Sequence, residues 1–425
     1  MSKISLLSLG CPKNLVDSEN LLKKLAAQGL SHTEDQEKAD LLLVNTCGFI
    51  DAAKKESIEE ILKLAAGKET GNKKLVVFGC LAKRFGDELK QEIPEIDMLY
   101  GVGDDDKIVE YCTSVLSAAD SAEADIRLAD TAYAYLKIAE GCDRGCSYCV
   151  IPDIRGSFRS RMSEDILKEA EALIRAGRRE LIVVAQDITA YGKDLTQYDL
   201  AQLIKDIASI SGDFWIRLLY LYPTAITDEL LETIRTEEKV CNYLDIPLQH
   251  TEQKILRLMK RGGGREYYEN LIQRIREIVP DVALRSTLIA GFPQETEKDF
   301  EAMLDFVQRM ELDRLGVFTY SREKGSAAYR LKGQVPKHVR MKRHDRIMEM
   351  QSSISLERNK RLVNRVFRAL VDEIDDGVGI ARIYSQAPEI DGVVFLKGSG
   401  FRKHEFIQVR IDQAFDYDLQ GTVVG

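Results

Sequence analysis

Ile138-Ala-Glu-Gly-Cys142-Asp-Arg-Gly-Cys146-Ser-Tyr-Cys149 is the stretch from which the fold of this chain is best predicted. Its three cysteines are spaced C-x3-C-x2-C and follow the alternating run of residues 132–138, which predicts a strand. Iron–sulfur clusters are held by cysteine thiolates, normally four to a cluster. Three closely spaced thiolates with no fourth nearby would leave one iron open to a substrate or cofactor. A zinc site with three thiolates and a chance grouping of cysteines are the alternatives at this point.

The size and composition of the chain are typical of a soluble multidomain protein. Its 425 residues suggest two or three domains, and its apolar and charged fractions are 44% and 30%. No apolar run reaches the length of a membrane span, and the first residues have too short an apolar core for a convincing signal peptide. We therefore expect a cytoplasmic protein. Its eight cysteines then indicate metal binding rather than disulfides, and its net charge of −9 argues weakly against a nucleic-acid partner.

The first part of the chain alternates between short apolar runs and helical patterns. The runs are residues 4–9, 41–44 and 75–78, and the helical patterns between them cover residues 18–27 and 57–66. This alternation predicts a parallel α/β domain.

A cysteine follows each of these runs almost at once: Cys11, Cys47 and Cys80. Ligands of open parallel sheets bind just beyond the carboxyl ends of the strands, so the three cysteines are expected at one edge of one sheet. An alternative is that they are buried as small apolar residues. Each also stands beside a glycine, and the repeated placement favours a second cluster held by three thiolates. Cys112 and Cys241 lack such neighbours and are expected to be structural.

The middle of the chain predicts an open barrel. From Thr113 to Thr131 the sequence turns small and acidic, which is typical of an interdomain linker. Further strand candidates then alternate with helices, at residues 181–185, 215–220, 243–246, 283–289 and 315–318. With the strand before Cys142 they make six, as in an open six-stranded relative of the α/β barrel, where chemistry gathers at the C-terminal ends of strands. The polar residues expected there, each of which alone would more often be structural, are Gln186, Asp187, Tyr222, Gln249, His250 and Arg285.

The last part of the chain predicts a long helix followed by a small β-barrel. Residues 338–364 are charged, helix-prone and free of Pro and Gly. Short strands are then predicted at residues 367–371, 378–384, 393–396 and 405–411, which is typical of a small barrel of the oligonucleotide-binding kind. The predicted architecture is thus a multidomain α/β protein, with a parallel α/β domain at 1–125, an open six-stranded α/β barrel at 132–360 and a small β-barrel at 361–425.

Taken in this order, the three domains resemble the radical S-adenosylmethionine (SAM) methylthiotransferases with a C-terminal TRAM domain, over essentially the whole chain. The cysteine motif, with Tyr148 just before its last cysteine, resembles the radical SAM signature. One branch of the family methylthiolates adenosine in transfer RNA. The other methylthiolates an aspartate of a small-subunit ribosomal protein, the twelfth of that subunit.

Four stretches resemble the ribosomal-protein branch: Gly10-Cys-Pro-Lys-Asn-Leu-Val-Asp-Ser-Glu19, Val184-Ala-Gln-Asp-Ile-Thr-Ala-Tyr-Gly192, Arg217-Leu-Leu-Tyr-Leu-Tyr-Pro223 and Ala387-Pro-Glu-Ile-Asp-Gly392. Ser286 and Ser326 depart from the Thr that is common there. Neither departure touches a residue that the resemblance makes a cluster ligand.

The resemblance implies two 4Fe–4S clusters and SAM. Cys142, Cys146 and Cys149 would hold the cluster that binds SAM, and Cys11, Cys47 and Cys80 a second cluster, through which sulfur arrives. Contacts to SAM would come from Tyr148, Gln186, Asp187, Gln249 and Arg285. A 5′-deoxyadenosyl radical would take a hydrogen from the aspartate β-carbon, and a second SAM would supply the methyl group. A flavodoxin-like or similar electron donor and a sulfur source are implied as partners.

The charge of the C-terminal barrel bears on the choice of branch. Residues 366–425 contain six Lys or Arg and ten Asp or Glu, a net charge near −4. A barrel that grips RNA should present a basic face, whereas an acidic one suits a basic ribosomal protein, although surface charge can also be merely solvating. Three alternatives stay open: a transfer-RNA methylthiotransferase, a radical SAM enzyme of another reaction class, and a non-enzymatic binding protein stabilised by zinc.

Overall fold

The computed structural model of the chain describes residues 3–68, 73–116 and 130–424. These residues fall into two compact units, one within Met1–Asp130 and Cys149–Ser157, the other within Thr131–Tyr148 and Phe158–Gly425. The second and third predicted domains share one compact unit, and their boundaries stay predictions. The predicted linker begins inside a helix, and its residues 117–129 lie outside the described residues.

The first unit is built on a parallel sheet. Within the described residues its five strands are β1 (Lys3–Ser8), β2 (Ser31–His32), β3 (Leu41–Thr46), β4 (Lys74–Gly79) and β5 (Met98–Tyr100). They lie in the order β2-β1-β3-β4-β5, and each neighbouring pair is parallel. The helices of this unit are α1 (Pro12–Ala26), α2 (Asp51–Gly67), α3 (Cys80–Glu92), α4 (Asp105–Val115) and α5 (Ile151–Arg155). The predicted parallel α/β arrangement is confirmed, and the short edge strands β2 and β5 are additions that the sequence pattern does not indicate.

Strand β3 shows why this part of the chain forms a covered sheet. All of its residues are buried, and alternate side chains enter different cores. Leu41 and Leu43 pack in a core with α1 and α4, whereas Leu42 and Val44 pack in another with α2 and α3. A strand covered on both faces has a continuous apolar sequence, because neither face meets water. Each fully buried leucine contributes roughly 1.5–3 kcal/mol to stability.

The second unit contains the predicted open barrel. Before the small barrel, the strands of this unit are β6 (Tyr133–Lys137), β7 (Ala139–Glu140), β8 (Arg159–Ser160), β9 (Glu180–Val184), β10 (Trp215–Leu218), β11 (Val240–Asp245), β12 (Ala283–Ala290) and β13 (Arg314–Thr319). In the described part of this unit, six of them form a parallel sheet in the order β6-β9-β10-β11-β12-β13, while β7 pairs with β8. The predicted six-stranded sheet is confirmed. Strands adjacent in sequence are adjacent in space, so their carboxyl ends lie along one edge.

Helices connect the successive strands of this sheet. They are α6 (Ser163–Arg175), α7 (Leu200–Ser209), α8 (Asp228–Thr236), α9 (Gln253–Leu258), α10 (Arg265–Ile278) and α11 (Glu297–Met310), followed by α12 (Lys337–Lys360). At the start of α11 the Thr296 hydroxyl accepts a hydrogen bond from the Asp299 N–H at 3.2 Å, and Asp299 accepts one from the Thr296 N–H at 2.8 Å. The long helix predicted at 338–364 is α12. Among the described residues, no helix is both long and apolar enough to cross a membrane.

The C-terminal part of the second unit is the predicted small β-barrel. Strands β14 (Val366–Asp375), β15 (Val378–Ile383), β16 (Val394–Lys397), β17 (Phe406–Ala414) and β18 (Leu419–Val424) close in the order β14-β15-β16-β18-β17. The sequence predicts the first four of these. It does not predict β18, because Gly421 interrupts the short apolar pattern of that strand.

Candidate functional site

Cys11, Cys47 and Cys80 lie directly beyond the carboxyl ends of β1, β3 and β4. These strands are neighbours in the sheet, so the loops that follow them share one edge. Cys47 and Cys80 are buried and Cys11 is half-buried, and all three are free thiols. The fold therefore gathers three cysteines that are far apart in the sequence.

Asn14 joins these cysteine loops. It is fully buried, and its Oδ1 atom lies 3.9 Å from the Cys11 Sγ and 3.7 Å from the Cys80 Sγ. Its Nδ2 group donates hydrogen bonds to the carbonyl oxygens of Leu9 at 2.9 Å and Thr46 at 3.2 Å. One amide side chain thus ties the ends of β1 and β3 together and contacts two of the three thiols.

Two glycines leave room for this arrangement. Gly10 has a φ of +93°, and a Cβ atom on it would lie 2.5 Å from the Cys47 Cβ. Gly79 has a φ of +98°, and a Cβ atom there would lie 2.2 Å from the Asn45 Oδ1. Any other residue is strained at these φ values and would push a cysteine loop aside. The Ser57 hydroxyl also holds Cys47, since it accepts from the Cys47 N–H at 3.0 Å and donates to its carbonyl at 3.1 Å. Such a cradle of thiols fits a cluster bound by three cysteines.

The buried thiols of this cradle resist ionisation when no metal is bound. Burial raises the pKa of Cys80 to about 12, an effect that the Arg155 guanidinium partly opposes. Burial likewise raises the pKa of Cys47. Because thiolates and not thiols bind iron, loading a cluster here must displace protons.

In the second unit, the loop that carries Cys142 and Cys146 is anchored to the end of α9. The Ser147 N–H donates a hydrogen bond to the Met259 carbonyl at 2.9 Å, and the Ser147 hydroxyl donates one to the Leu258 carbonyl at 2.6 Å. Both cysteines stay half-buried, and burial raises the pKa of Cys142. The anchoring fixes the backbone on which the two thiols stand.

Cys149, the third cysteine of the motif, belongs to the first unit, where its Sγ accepts a hydrogen bond from the Ile151 N–H at 3.4 Å. Among the described residues, no three Cys, His, Asp or Glu side chains surround a single-ion position. A four-iron cluster does not require its cysteines to surround one ion, because each cysteine binds a separate iron.

Arg261 links Tyr148 to Cys146. Its Nη1 atom lies 3.6 Å from the Cys146 Sγ and 3.5 Å from the Tyr148 hydroxyl oxygen, and its Nη2 donates to the Pro247 carbonyl at 2.6 Å. The guanidinium also lies over the Tyr222 ring, 4.4 Å from the ring centre. A guanidinium N–H directed at a cysteine sulfur would tune the potential of a cluster bound there.

Asp187 pairs with Arg144, a residue inside the cysteine motif. The Arg144 Nε atom lies 2.6 Å from the Asp187 Oδ2, and its guanidinium lies 3.9 Å from the centre of the Tyr222 ring. The Asp187 Oδ1 accepts hydrogen bonds from the Thr189 N–H at 2.9 Å and the Thr189 hydroxyl at 2.5 Å. Asp187 thus holds Arg144 in place. The Arg144 Nη2 atom is buried and has no hydrogen-bond partner within the described part of the chain.

Gln186 contacts the ion pair formed by Glu140 and Lys137. Its Nε2 donates to the Glu140 Oε1 at 3.1 Å, and the Glu140 Oε2 lies 2.8 Å from the Lys137 Nζ. The Gln186 Oε1 is buried and without a hydrogen-bond partner among residues 3–68, 73–116 and 130–424. A buried polar atom left in this state costs roughly 1–3 kcal/mol. Together with the Arg144 Nη2, it offers an acceptor and a donor to a polar ligand, which fits SAM.

Gln249 lies at the carboxyl edge of the sheet, as the sequence predicts. It has a φ of +72°, its N–H donates to the Thr287 carbonyl at 2.8 Å, and its carbonyl accepts from the Ile289 N–H at 2.8 Å. The neighbouring His250 is fully buried, with its Nε2 3.4 Å from the Glu295 Oε2. Its Nδ1 accepts a hydrogen bond from the Glu252 N–H at 3.0 Å, which gives His250 a structural partner.

Arg285 does not lie at that edge. It is the third residue of β12, near the amino end of the strand, which corrects the expectation that it stands at a strand's carboxyl end. Its Nη1 lies 3.1 Å from the Asp245 Oδ1, and its Nε lies 3.5 Å from the Oδ1 of Asp391, a residue of the small barrel. Two carboxylates neutralise the guanidinium, which is why a charged residue can be buried inside the sheet.

Three further residues of the site, Glu140, Arg144 and Arg261, are not predicted from the sequence. Glu140 and Arg144 stand two residues before and two residues after Cys142, so their charges beside the cysteine could have indicated a role in the site. Arg261 follows α9, and no local pattern connects it to Cys146. Only the fold brings these two residues together.

Comparison with known proteins identifies the class of enzyme. Residues 3–101 match the uncharacterized protein family UPF0004, residues 136–307 match the radical SAM superfamily, and residues 363–424 match the TRAM domain. The structure is similar to the radical SAM methyltransferase TsrM from Kitasatospora setae, with a TM-score of 0.56 and 13% identity over 75% of each chain. It is also similar to the cobalamin-dependent SAM radical enzyme OxsB, with a TM-score of 0.53 and 13% identity over 83% of this chain and 56% of that one. The fold is thus that of a radical SAM enzyme, which here ends in a TRAM domain.

Curated relatives identify the family. The chain is 49% identical to the ribosomal protein uS12 methylthiotransferase RimO of Thermodesulfovibrio yellowstonii, over 100% of both chains. It is 45% identical to the protein of that name from Acetivibrio thermocellus, over 99% of this chain and 98% of the relative. The chain belongs to the RimO family of radical SAM methylthiotransferases, which confirms the resemblance found in its motifs. Membership of the radical SAM superfamily implies a 4Fe–4S cluster and SAM.

Proposed function

We propose that this protein methylthiolates the β-carbon of an aspartate in ribosomal protein uS12. The observation that carries the proposal is the similarity along the whole chain, at 43–49% identity, to relatives named ribosomal protein uS12 methylthiotransferase. The acidic C-terminal barrel supports it, because such a surface attracts a basic ribosomal protein. On that barrel Glu373, Asp375 and Asp376 stand exposed where β14 turns into β15. A ribosomal substrate also supports the expectation of a cytoplasmic enzyme.

Each cysteine trio would hold one 4Fe–4S cluster. The two sets are Cys142, Cys146 and Cys149 for the cluster that binds SAM, and Cys11, Cys47 and Cys80 for the second. When bound, the first cluster and SAM supply a 5′-deoxyadenosyl radical, and the second cluster supplies a site for sulfide. The Arg261 N–H directed at Cys146 supports the first assignment. The glycine-lined cradle of Gly10 and Gly79 supports the second.

Around the first trio, the residues of this chain bind and orient SAM. Arg144 offers a buried N–H suited to the SAM carboxylate, and Asp187 keeps its guanidinium in place. Gln186 offers a buried carbonyl oxygen suited to an amino or hydroxyl group. Tyr148 and Gln249 remain candidate contacts at the same edge. Arg285 we assign instead to the junction with the small barrel, because it pairs with Asp245 of the sheet and with Asp391 of that barrel.

The net reaction balances without a net use of electrons. Hydrosulfide and two SAM molecules convert the aspartate C–H bond into C–S–CH3. The other products are 5′-deoxyadenosine, methionine, S-adenosylhomocysteine and a proton. The electron that begins the cleavage of the first SAM is recovered when sulfur bonds to carbon. A flavodoxin-like donor is therefore needed to start the reaction, and a sulfur source must replace the sulfide that is used.

The test is anaerobic incubation of reconstituted protein with SAM, a reductant, sulfide and either uS12 or transfer RNA. We expect a mass gain of about 46 Da on one aspartate of uS12, since a methylthio group replaces a hydrogen. Methylthiolated adenosine together with unmodified uS12 would overturn the proposal and favour the transfer-RNA branch.

A further inference from the structure

Arg155 is a buried arginine beside the cysteine cradle of the first unit. It ends α5, its side chain is 1% exposed, and it follows Cys149 in the segment that belongs to this unit. Its Nη2 lies 2.6 Å from the Asn14 Oδ1 and 3.0 Å from the Asp17 Oδ2. Burying a charge is costly unless the charge is paired, so a buried guanidinium at this place requires a reason beyond packing.

Asn14 carries the contact from Arg155 to the thiols. The oxygen that accepts from Arg155 is the same Oδ1 that lies 3.9 Å from the Cys11 Sγ and 3.7 Å from the Cys80 Sγ. The orientation of the amide is fixed, because its Nδ2 donates to the Leu9 and Thr46 carbonyls while its oxygen faces a group that can only donate. Removing Arg155 would therefore take its N–H donor away from the Asn14 oxygen that contacts both sulfurs.

We propose that Arg155 is a positioning residue for the second cluster: it holds Asn14 against Cys11 and Cys80, and its charge, balanced by Asp17, sets the reduction potential of that cluster. The inference rests on the proposed function, because it requires a cluster in this cradle. The potential of an iron–sulfur cluster follows its net charge, the hydrogen bonds to its sulfurs and its exposure to solvent. A fixed cation nearby favours the reduced form, which carries one more negative charge, so it raises the potential.

The test isolates the second cluster in the full-length chain. Cys142, Cys146 and Cys149 are replaced by Ala, and the protein is reconstituted anaerobically. Iron content is then measured, and the midpoint potential of the remaining cluster is determined by redox titration with electron paramagnetic resonance. This readout does not depend on turnover, and a role that is only structural does not predict the direction of its change.

Charge variants in this background give opposite predictions. Arg155→Gln removes the cation and should shift the midpoint potential to a more negative value. Asp17→Asn removes a negative charge that lies 3.0 Å from the Arg155 guanidinium, so it should shift the midpoint potential to a more positive value. Arg155→Lys keeps the charge and should stay near the parent potential, although it loses the fork geometry. Arg175→Gln, at an exposed arginine of α6, is the matched control and should leave the potential unchanged.

The outcomes separate the inference from the proposed function. Shifts of opposite sign in Arg155→Gln and Asp17→Asn would support the inference. If both variants hold iron at the parent potential, the inference fails while the second cluster stands. It also fails if Arg155→Gln loses iron and Asp17→Asn shows no shift to a more positive potential. If Arg155→Gln alone cannot be loaded, the sign of the Asp17→Asn shift decides. A background protein that binds no iron would overturn the second cluster and the inference with it.

Discussion

Glu180 and Arg382 form an ion pair that is closed to water: the Glu180 Oε2 and the Arg382 Nη1 lie 2.6 Å apart, and the two side chains are 0% and 2% exposed. Glu180 begins β9 of the six-stranded sheet, whereas Arg382 belongs to β15 of the small barrel. Arg217 of β10 pairs with Glu180 at 2.6 Å and donates to the Tyr384 carbonyl at 2.6 Å. Asp372 pairs with Arg382 at 2.6 Å. Sheet and barrel thus share one buried charge cluster.

Replacing Arg382 should therefore destabilise the second unit. Burial alone would raise the pKa of Glu180, but Arg217 and Arg382 hold that pKa below its usual value. Arg382→Ala should lower the free energy of unfolding by about 3 kcal/mol. This value is at the lower end of the range for breaking a buried ion pair, because Glu180 still pairs with Arg217 in the variant. Trp215, the only tryptophan of the chain, packs against Phe406 of the barrel with ring centres 4.9 Å apart. Its fluorescence during urea unfolding is the measurement.

Arg410→Ala is the matched control for Arg382→Ala. Arg410 stands in the same barrel, but it pairs with Asp412 at 3.1 Å at a partly exposed site. We expect a loss of about 0–1 kcal/mol, as for other surface pairs. Equal losses in the two variants would contradict the idea that the shared cluster holds sheet and barrel together.

The sequence predicts the fold well where burial repeats along the chain. The runs at residues 41–44 and 181–185 are apolar because they are buried, so their pattern alone indicates strands of a covered parallel sheet. Turns rich in Gly and Asp likewise mark the small barrel. The fifth barrel strand escapes prediction because Gly421 breaks its pattern.

The candidate site is less predictable, because its contacts depend on tertiary approach. The spacing of the cysteines is local, and it is visible in the sequence. The position of Arg261 beside Cys146 is not, since it depends on how α9 ends. The partners of Arg285 are likewise not predictable, since they are Asp245 and Asp391, and Asp391 comes from another part of the chain. The contact between Arg285 and SAM stays a prediction.

The two cysteine trios predict the iron content of the protein. Reconstituted protein should hold about eight irons per chain, and replacing either trio by Ala should remove about half of them. Loss of Cys142, Cys146 and Cys149 should also abolish the reductive cleavage of SAM. Loss of Cys11, Cys47 and Cys80 should leave that cleavage running without methylthiolation. Iron analysis and detection of 5′-deoxyadenosine are the measurements, and Cys241→Ala, at a buried cysteine outside both trios, should change neither.

The buried Arg144 N–H predicts a loss of SAM affinity on substitution. Arg144→Gln removes a charge-assisted donor, which is typically worth about 1.5–3 kcal/mol, so the Kd for SAM should rise roughly 10- to 100-fold. Equilibrium dialysis of the reconstituted protein measures the affinity, and iron content is checked in parallel. Arg175→Gln, which removes the same kind of charge at an exposed position, should leave the Kd unchanged. An unchanged Kd in Arg144→Gln with full iron loading would remove Arg144 from the SAM site.

Cys112 predicts an alkaline loss of stability. Burial in the core of the first unit raises its pKa from an ordinary value of 9.0 to about 12. A raised pKa in the folded state gives stability that is complete below pH 9 and declines as the pH rises toward 12. At pH 11 the loss from this thiol should approach about 3 kcal/mol. Unfolding of the reconstituted protein at pH 7.5 and pH 10.5 should show a smaller drop in Cys112→Ala than in the parent chain, and equal drops would refute the assignment.

The acidic tip between β14 and β15 predicts how the substrate protein is recruited. Asp375 and Asp376 are exposed there, whereas Asp372 is not a suitable target, because it belongs to the buried cluster with Arg382. Asp375→Lys combined with Asp376→Asn should raise the apparent KM for uS12 several-fold, since surface charges act mainly on the encounter of the two proteins. Asn is chosen at position 376 because the backbone there has a φ of +45°, which Asn tolerates. The difference from the parent enzyme should shrink in high salt, which screens exposed charges.

Cleavage of SAM without uS12 should be unaffected by the change at this acidic tip. Asp87→Lys combined with Glu88→Gln changes the net charge by the same amount on an exposed part of α3, and it should leave the KM near the parent value. If this control raises the KM as much as the barrel variant does, the attraction comes from the net charge of the whole protein. If neither variant changes the KM, docking does not use the acidic tip, and recognition of uS12 must be sought closer to the edge where Cys142 and Gln186 lie.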